Sequence, residues 1–280
     1  MEWVYKKDDN YHHGGTNSIL RFNQSLEDRK LKYPIRHHLS HDYSQKILDD
    51  GFVVIKNAIS PELISILTEE FDEAVNELQT KSDDRFYTVI SEPLINCPSI
   101  VDVATTDKVF DTVCGFFGCV PSIGTLNFRK SYINEGDPQV TQLFHCDQNS
   151  ISFLKCFMYL NDVKTPEDGP LTIITDSLRK KPANWSSKYR WTEDEMISIY
   201  GEDCLTFLTA SAGDLIISRA TTGFHRGTPP INKDRVMLTI NYTIHPEEWR
   251  LPEFKISEEE YKNLENHKKP LGEFLIKEKI

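Results

Sequence analysis

The rhythm of apolar and polar positions changes near residue 85. Before that point it is helical. In HDYSQKILDDGFVVIKNAISPELISILTEEFDEAVNELQ a short helix is expected to end near Gly51, a residue type common just past helix ends. FVVIKN then reads as a buried strand. Ser60 stands at an N-cap position and Pro61 at the first helical position, where its missing N–H costs nothing. Leu63, Ile66, Leu67, Phe71, Ala74, Val75 and Leu78 recur at helical spacing and give that helix one apolar face.

After residue 85 short β-prone runs alternate with turn residues: FYTVIS, IGTLNFRKSYI, SISFLKCFMYLNDV, GPLTIIT, GDLIISR and RVMLTINYTIH. Many short strands separated by Gly, Pro, Asn and Asp predict a sandwich or barrel. A helix is expected between residues 192 and 201. Another starts at Ser257, where SEEE forms a capping box with Glu260. Residues 1–40 are polar and lack sustained periodicity, which predicts an irregular arm wrapped on the core. With no internal repeat and no low-complexity linker, residues 1–280 read as a single domain. Its core would lie at about residues 41–245, and a helix-bearing tail over residues 246–280.

Composition narrows the class. Hydrophobic residues make up 39% and charged residues 27%, ordinary for a soluble globular protein. No apolar run approaches the roughly 20 residues that cross a bilayer, so no membrane partner is expected. MEWVYKKDDNYHHGG lacks the apolar stretch of a secretory signal, and a cytoplasmic protein is expected. A net charge of -11 argues against a nucleic-acid partner, because a phosphate backbone needs a basic surface. Cys97, Cys114, Cys119, Cys146, Cys156 and Cys204 form no CxxC pair and are expected as reduced thiols.

The candidate chemistry begins in LFHCDQNS, residues 143–150. On a strand, His145 and Asp147 would face one way together, as two neighbouring ligands of one metal must, while Cys146 faced the other. Cys146 then reads as a small residue packed behind the site and not as a nucleophile. His225, in GFHRGTPPINKDR, adds a third ligand. Two histidines and one carboxylate make the facial triad of non-haem iron(II) oxygenases, which leaves coordination positions for a co-substrate and dioxygen. Arg235 opens the next predicted strand, where a guanidinium can clamp a carboxylate through two hydrogen bonds. His37 and His41, four apart in IRHHLSH, lack a third ligand at useful spacing.

Taken in order, these pieces resemble the phytanoyl-CoA dioxygenase family of iron(II)/2-oxoglutarate-dependent oxygenases. The resemblance runs from DDGFVVIKNAISPELISILTEEFD through His145 and Asp147, LNDVKTPEDGPLTII and HRGTPPINKDR to RVMLTINYT, most of the chain. His245 follows Arg235 and so breaks the family's order. The resemblance implies a mainly β fold with supporting helices, a double-stranded β-helix or cupin-like jelly roll. It implies His145, Asp147 and His225 as Fe(II) ligands, with 2-oxoglutarate on the iron and its distal carboxylate on Arg235. Phe157 and Asn127 fall where relatives place residues against the co-substrate, although a core aromatic and an inward asparagine with a structural partner explain them equally well. The reaction implied uses O2 to hydroxylate an unactivated C–H bond of a small organic molecule, releasing succinate and CO2. Halogenating members lack the carboxylate of Asp147, so its presence favours hydroxylation.

The same cofactor chemistry also serves desaturation, cyclisation and epimerisation. A non-catalytic jelly-roll protein that binds or senses a ligand is the alternative outside enzymes, and the intact triad with Arg235 favours the enzyme. One departure concerns the substrate side: relatives continue GPL into Pro-Gly-Ser-His, whereas this chain reads GPLTIITDSLRKK. The run that follows concentrates Arg179, Lys180, Lys181, Lys188 and Arg190. In the family this region borders the mouth of the site, so it either attracts an anionic substrate or is a solvated loop. Fold resemblance does not transfer substrate identity.

Overall fold

Strands dominate the architecture, and their alternation decides where the cavity lies. The computed structural model describes residues 16–35, 42–77, 80–83, 86–133, 136–147, 151–185, 187–244, 256, 258–273 and 275. In chain order the strands are β1 (Phe52–Ile55), β2 (Thr80–Asp83), β3 (Tyr87–Ile90), β4 (Ser122–Ser131), β5 (Phe153–Tyr159), β6 (Leu171–Ile174), β7 (Leu205–Leu208), β8 (Leu215–Ser218), β9 (His225–Gly227) and β10 (Arg235–Thr243). Seven form a large antiparallel sheet in the order β1-β8-β5-β10-β4-β3-β2, and three form a small one in the order β7-β6-β9. β10 is central: Thr239 lies opposite Asn127 of β4 and Phe157 of β5, and Met237 lies opposite Arg129 and Tyr159.

Both faces of the large sheet are covered. Leu126, Phe128, Leu154, Met158, Leu238 and Ile240 point to one side, into the main core cluster. That core is closed by α3 (Pro61–Asn76) through Leu67 and Phe71, and by α5 (Ile100–Ala104) and α6 (Asp107–Phe117) through Ile100, Val109 and Val113. Their strand neighbours Phe157, Tyr159 and Met237 point the other way and meet Leu171, Ile173 and Leu208 of the small sheet. α3 starts as expected: Ser60 accepts a hydrogen bond from the Leu63 amide at 3.2 Å, with Pro61 in the first turn. α2 (Asp42–Asp50) ends at Gly51, whose φ of +83° few other residues adopt readily. α7 (Glu193–Tyr200) lies where the helix near residues 192–201 was expected and carries a Thr192–Glu195 capping box. α8 spans Glu258–Asn263; Ser257, expected as its cap, lies outside the described residues.

Two regions depart from expectation. Residues 16–32, expected within an irregular arm, form α1 (Thr16–Lys32). Its inward stripe is thin: Ile19, Phe22 and Leu26 reach the core, and the next inward position is Arg29. That buried guanidinium donates to the carbonyls of Val120 at 2.6 Å and Pro121 at 3.0 Å and pairs with Glu273 at 3.0 Å. A charged residue on the buried face hid the helical period. Residues 93–117 also form helices, α4 (Pro93–Asn96), α5 and α6, inside the stretch read as strand-rich. Their β-branched and aromatic residues favour strands locally, and packing against the sheet overrides that preference. No helix among the described residues is long and apolar enough to cross a membrane.

Candidate metal centre and its cavity

His145, Asp147 and His225 converge at the rim of the small sheet. His225 opens β9, and its backbone exchanges two hydrogen bonds with His145, at 3.0 and 2.9 Å. The pair is an isolated bridge, so His145 does not lie in a longer strand as expected. Asp147 lies beyond the bridge, its amide bound to the Ala220 carbonyl at 2.9 Å. The three side chains still meet on one side, with ligand atoms all within 4.8 Å of one another. Cys146 faces away, as expected, and packs with Phe144, Ile174, Trp191, Met196 and Phe224.

Each histidine is aimed by its backbone-facing nitrogen. His145 Nδ1 sits 2.8 Å from the Leu143 carbonyl and His225 Nδ1 3.1 Å from the Gly223 carbonyl. A ring that donates from Nδ1 to a carbonyl presents Nε2 as a lone pair, the usual support for a metal-binding imidazole. His145 Nε2 lies 3.5 Å from Asp147 Oδ1, and His225 Nε2 3.4 Å from Asp147 Oδ2. His225 Nε2 is buried without a hydrogen-bond partner. Burial, then the neighbouring His225 ring, pushes the His145 pKa down to about 4, so the ring is neutral and able to ligate. Burial alone would raise the Asp147 carboxyl. The Lys155 ammonium and the two imidazoles beside it outweigh it and hold the group well below its usual range. Two imidazoles and a carboxylate fit a divalent iron, and the orphaned Nε2 lacks only a Lewis acid.

Lys155 was not among the expected site residues. Its Nζ lies 2.6 Å from Asp147 Oδ2 and 5.6 Å from the Phe157 ring centre. The signal was present as a lone lysine inside the apolar run FLKCFMY.

His145 and His225 line a cavity of about 200 Å³ whose wall includes Asn127, Arg129, Lys155, Phe157 and Arg235. The expected residues Asn127 and Phe157 are thus both on the wall; Phe157 also belongs to the core between the sheets. Arg235 is 2% exposed. Its Nη1 donates to the carbonyls of Gly169 and Thr228, and its Nη2 to Ser131 Oγ at 3.2 Å, while Nε has no partner. Gly169, from the EDGPL run, has a φ of +76°, and a Cβ there would lie 2.8 Å from the Thr228 carbonyl. Only glycine lets that loop close on the arginine. A second cavity of about 550 Å³ adjoins the first. On its wall the exposed Val140 has a φ of 45°, a backbone conformation rare for a β-branched residue.

The basic run at residues 179–190 is not a free patch. Lys181 donates to the carbonyls of Ser177, at 2.7 Å, and Thr222, and its Nζ lies 4.6 Å from the Phe224 ring centre. Lys188 pairs with Glu195. Only Arg179 and Lys180 of the five are exposed. His37, His41 and His245 lie outside the described residues.

No protein-family model matches the chain, and no curated protein matches it. Solved structures do. The epimerase SnoN, in complex with Fe3+, alpha ketoglutarate and nogalamycin RO, aligns with a TM-score of 0.58 at 16% identity, over 72% of this chain and 82% of SnoN. The non-heme alpha ketoglutarate dependent carbocyclase SnoK from nogalamycin biosynthesis aligns with 0.53 at 12% identity, over 74% of this chain and 84% of SnoK. EctD from S. alaskensis, with 2-oxoglutarate and 5-hydroxyectoine, aligns with 0.53 at 14% identity, over 78% of this chain and 86% of EctD. At such identities the likeness is one of fold. The chain has the expected mainly β, cupin-like jelly roll with supporting helices.

Proposed function

We propose that this chain is an iron(II)/2-oxoglutarate-dependent oxygenase. Within that class we assign it to the phytanoyl-CoA dioxygenase family, as a hydroxylase of a small organic molecule. One observation carries the reading: two imidazoles and a carboxylate converge within 4.8 Å, and the imidazoles line a cavity that also holds a buried arginine with an unpartnered Nε. His145, Asp147 and His225 would hold the iron. When bound, iron and 2-oxoglutarate supply the oxidant: O2 is consumed, the oxoacid becomes succinate and CO2, and one oxygen atom enters the substrate C–H bond.

The chain's own groups prepare that chemistry. Arg235, oriented by Gly169, Thr228 and Ser131, presents its remaining edge to the distal carboxylate of the oxoacid. Asn127 offers an amide on the same wall, and Phe157 an apolar surface that excludes water. Lys155 keeps Asp147 ionised and fixes one of its two oxygens.

The carboxylate of Asp147 favours hydroxylation. A second reading keeps the cofactors and ends in epimerisation or ring closure; it draws on SnoN being an epimerase and SnoK a carbocyclase. The test is an anaerobic titration of the purified protein with Fe(II) and 2-oxoglutarate. A visible absorption band of the chelate is expected, followed by succinate release when O2 and substrates are added. No chelate band would discard the oxygenase reading. Binding without succinate release from any of a broad set of amino acids, acyl thioesters and small natural products would favour a sensing protein. Product mass separates the outcomes: hydroxylation adds an oxygen atom, and epimerisation leaves the mass unchanged.

A further inference from the structure

Arg129 stands where the two cavities meet, lining both. It reaches them because β4 alternates: Phe128 enters the core under the helices, and Arg129 turns inward. Its Nε has no hydrogen-bond partner, and among the described residues no carboxylate lies within ion-pair distance of it. A Cβ on Gly227 would meet Nη2 of Arg235 at 3.3 Å and Nη2 of Arg129 at 3.7 Å, so two guanidiniums surround one point. Burial, with Arg235 beside it, pushes Arg129 down to about 10, which leaves it charged at neutral pH. An uncompensated cation in such a place is destabilising unless a ligand brings the anion.

The outer cavity shows what kind of ligand. Phe86, Tyr87, Val89 and Val140 give its wall an apolar part, Asn127, Gln139 and Gln142 add amides, and among the described residues no acidic side chain lines it. This lining belongs to a chain with a net charge of -11. On the oxygenase reading, a ferrous ion, Asp147, the 2-oxoglutarate dianion and Arg235 balance to zero formal charge. Lys155 and Arg129 are then left over, and of those two only Arg129 lines the outer cavity.

We infer that Arg129 anchors the primary substrate, and that this substrate is a small molecule with an apolar part and an oxyanion group, a carboxylate or a phosphate. The inference rests on the proposed oxygenase function and supplies its substrate class. It also moves the attraction for an anion from the basic run at residues 179–190, where Lys181 and Lys188 are engaged, to the interior.

Calorimetric titration of protein loaded with Ni(II) and saturated with 2-oxoglutarate tests it. The probes are phenylacetate, phenyl phosphate and the uncharged 2-phenylethanol. At least one anion should bind about tenfold or more tighter than the alcohol, and which anion wins identifies the oxyanion. Arg129→Gln should abolish that preference while 2-oxoglutarate affinity changes less than about threefold. Equal binding of anions and alcohol by the unmodified protein overturns the inference, as does a preference that survives Arg129→Gln. A loss of about tenfold or more in 2-oxoglutarate affinity would make Arg129 a second clamp on the co-substrate and overturn it too. Without ligands the variant should melt no lower than the unmodified protein; a fall of more than about 5 °C would make the arginine structural. The 2-oxoglutarate titration of the unmodified protein reports on the oxygenase reading alone, so the two failures are told apart.

Discussion

Phe128 and Arg129 are adjacent in β4, yet the two sides of the sheet ask opposite things of them. Phe128 is fully buried, its ring centre 4.7 Å from that of Phe71, in a core the chain fills by itself. Arg129 turns to a cavity where, among the described residues, its Nε finds no partner. β10 repeats the contrast, with Leu238 and Ile240 on the helix side and Arg235 and Thr239 on the other. One face is stabilising because every group meets its match. The other gives up stability to keep ligand-binding groups unmatched, the usual relation between stability and a functional site.

The largest effect should come from the triad. Asp147→Ala is expected to eliminate the chelate band in the anaerobic titration and reduce succinate release to background; a retained band would remove Asp147 from the metal centre. Next is the opposite face. Phe128→Ala should lower the free energy of unfolding in urea by about 3–5 kcal/mol, the usual cost of emptying a buried aromatic site. A loss below about 1 kcal/mol would contradict the closely packed core described above.

Arg235→Met should weaken 2-oxoglutarate binding by roughly 10- to 100-fold, the worth of a charge-assisted clamp, with metal affinity nearly unchanged. Comparable losses for both ligands would make Arg235 a fold residue. Lys155→Met should destabilise the metal-free protein by about 1–3 kcal/mol, since the Asp147 carboxylate loses its nearest cation. Saturating Ni(II) should restore most of that loss in a thermal melt, and a melt unmoved by Ni(II) would show that the metal does not stabilise Asp147.

The smallest effect lies away from both faces. Asp214 accepts from Lys56 Nζ at 2.8 Å and from the amides of Asn57 at 2.9 Å and Ser211 at 2.8 Å. Burial alone would raise its carboxyl, but these partners outweigh it and hold the group below its ordinary value. The stabilisation is therefore complete above the unfolded carboxylate range, near ~4, and lost as pH falls through the lower folded value. Asp214→Asn should cost about 1–2 kcal/mol near pH 7 in urea denaturation, with the gap closing only below about pH 4. A gap that closed between pH 7 and 5 would contradict the lowered value.

Much of this architecture was legible beforehand where a local signal stood alone. Ser60 and Pro61 announced α3, and the strand runs of β4, β5 and β10 were visible as β-prone segments between turns. What escaped did so for identifiable reasons. α1 places Arg29 where a hydrophobe would have completed the stripe, and α6 is built from Val109, Phe110, Val113 and Phe117, residues that favour strands locally. Lys155 and Arg129 were missed because an alternating polar residue in a strand normally means solvent. Here both faces of the sheet are covered, so the polar series marks a cavity instead.

By itself the amino-acid sequence determined the opening strand and α3, the β-prone runs of β4, β5 and β10, the H-x-D pair with a later histidine and arginine, and the acidic balance of the chain. Those are local or additive properties, carried by residue type and spacing. Tertiary structure alone decided that His145 and His225 pair as a bridge, that Lys155 meets Asp147, that Lys181 is tied to backbone carbonyls, and that Arg129 and Arg235 approach one point. Each of these joins elements far apart in the chain, and whether a charge finds its partner depends on the space between the sheets.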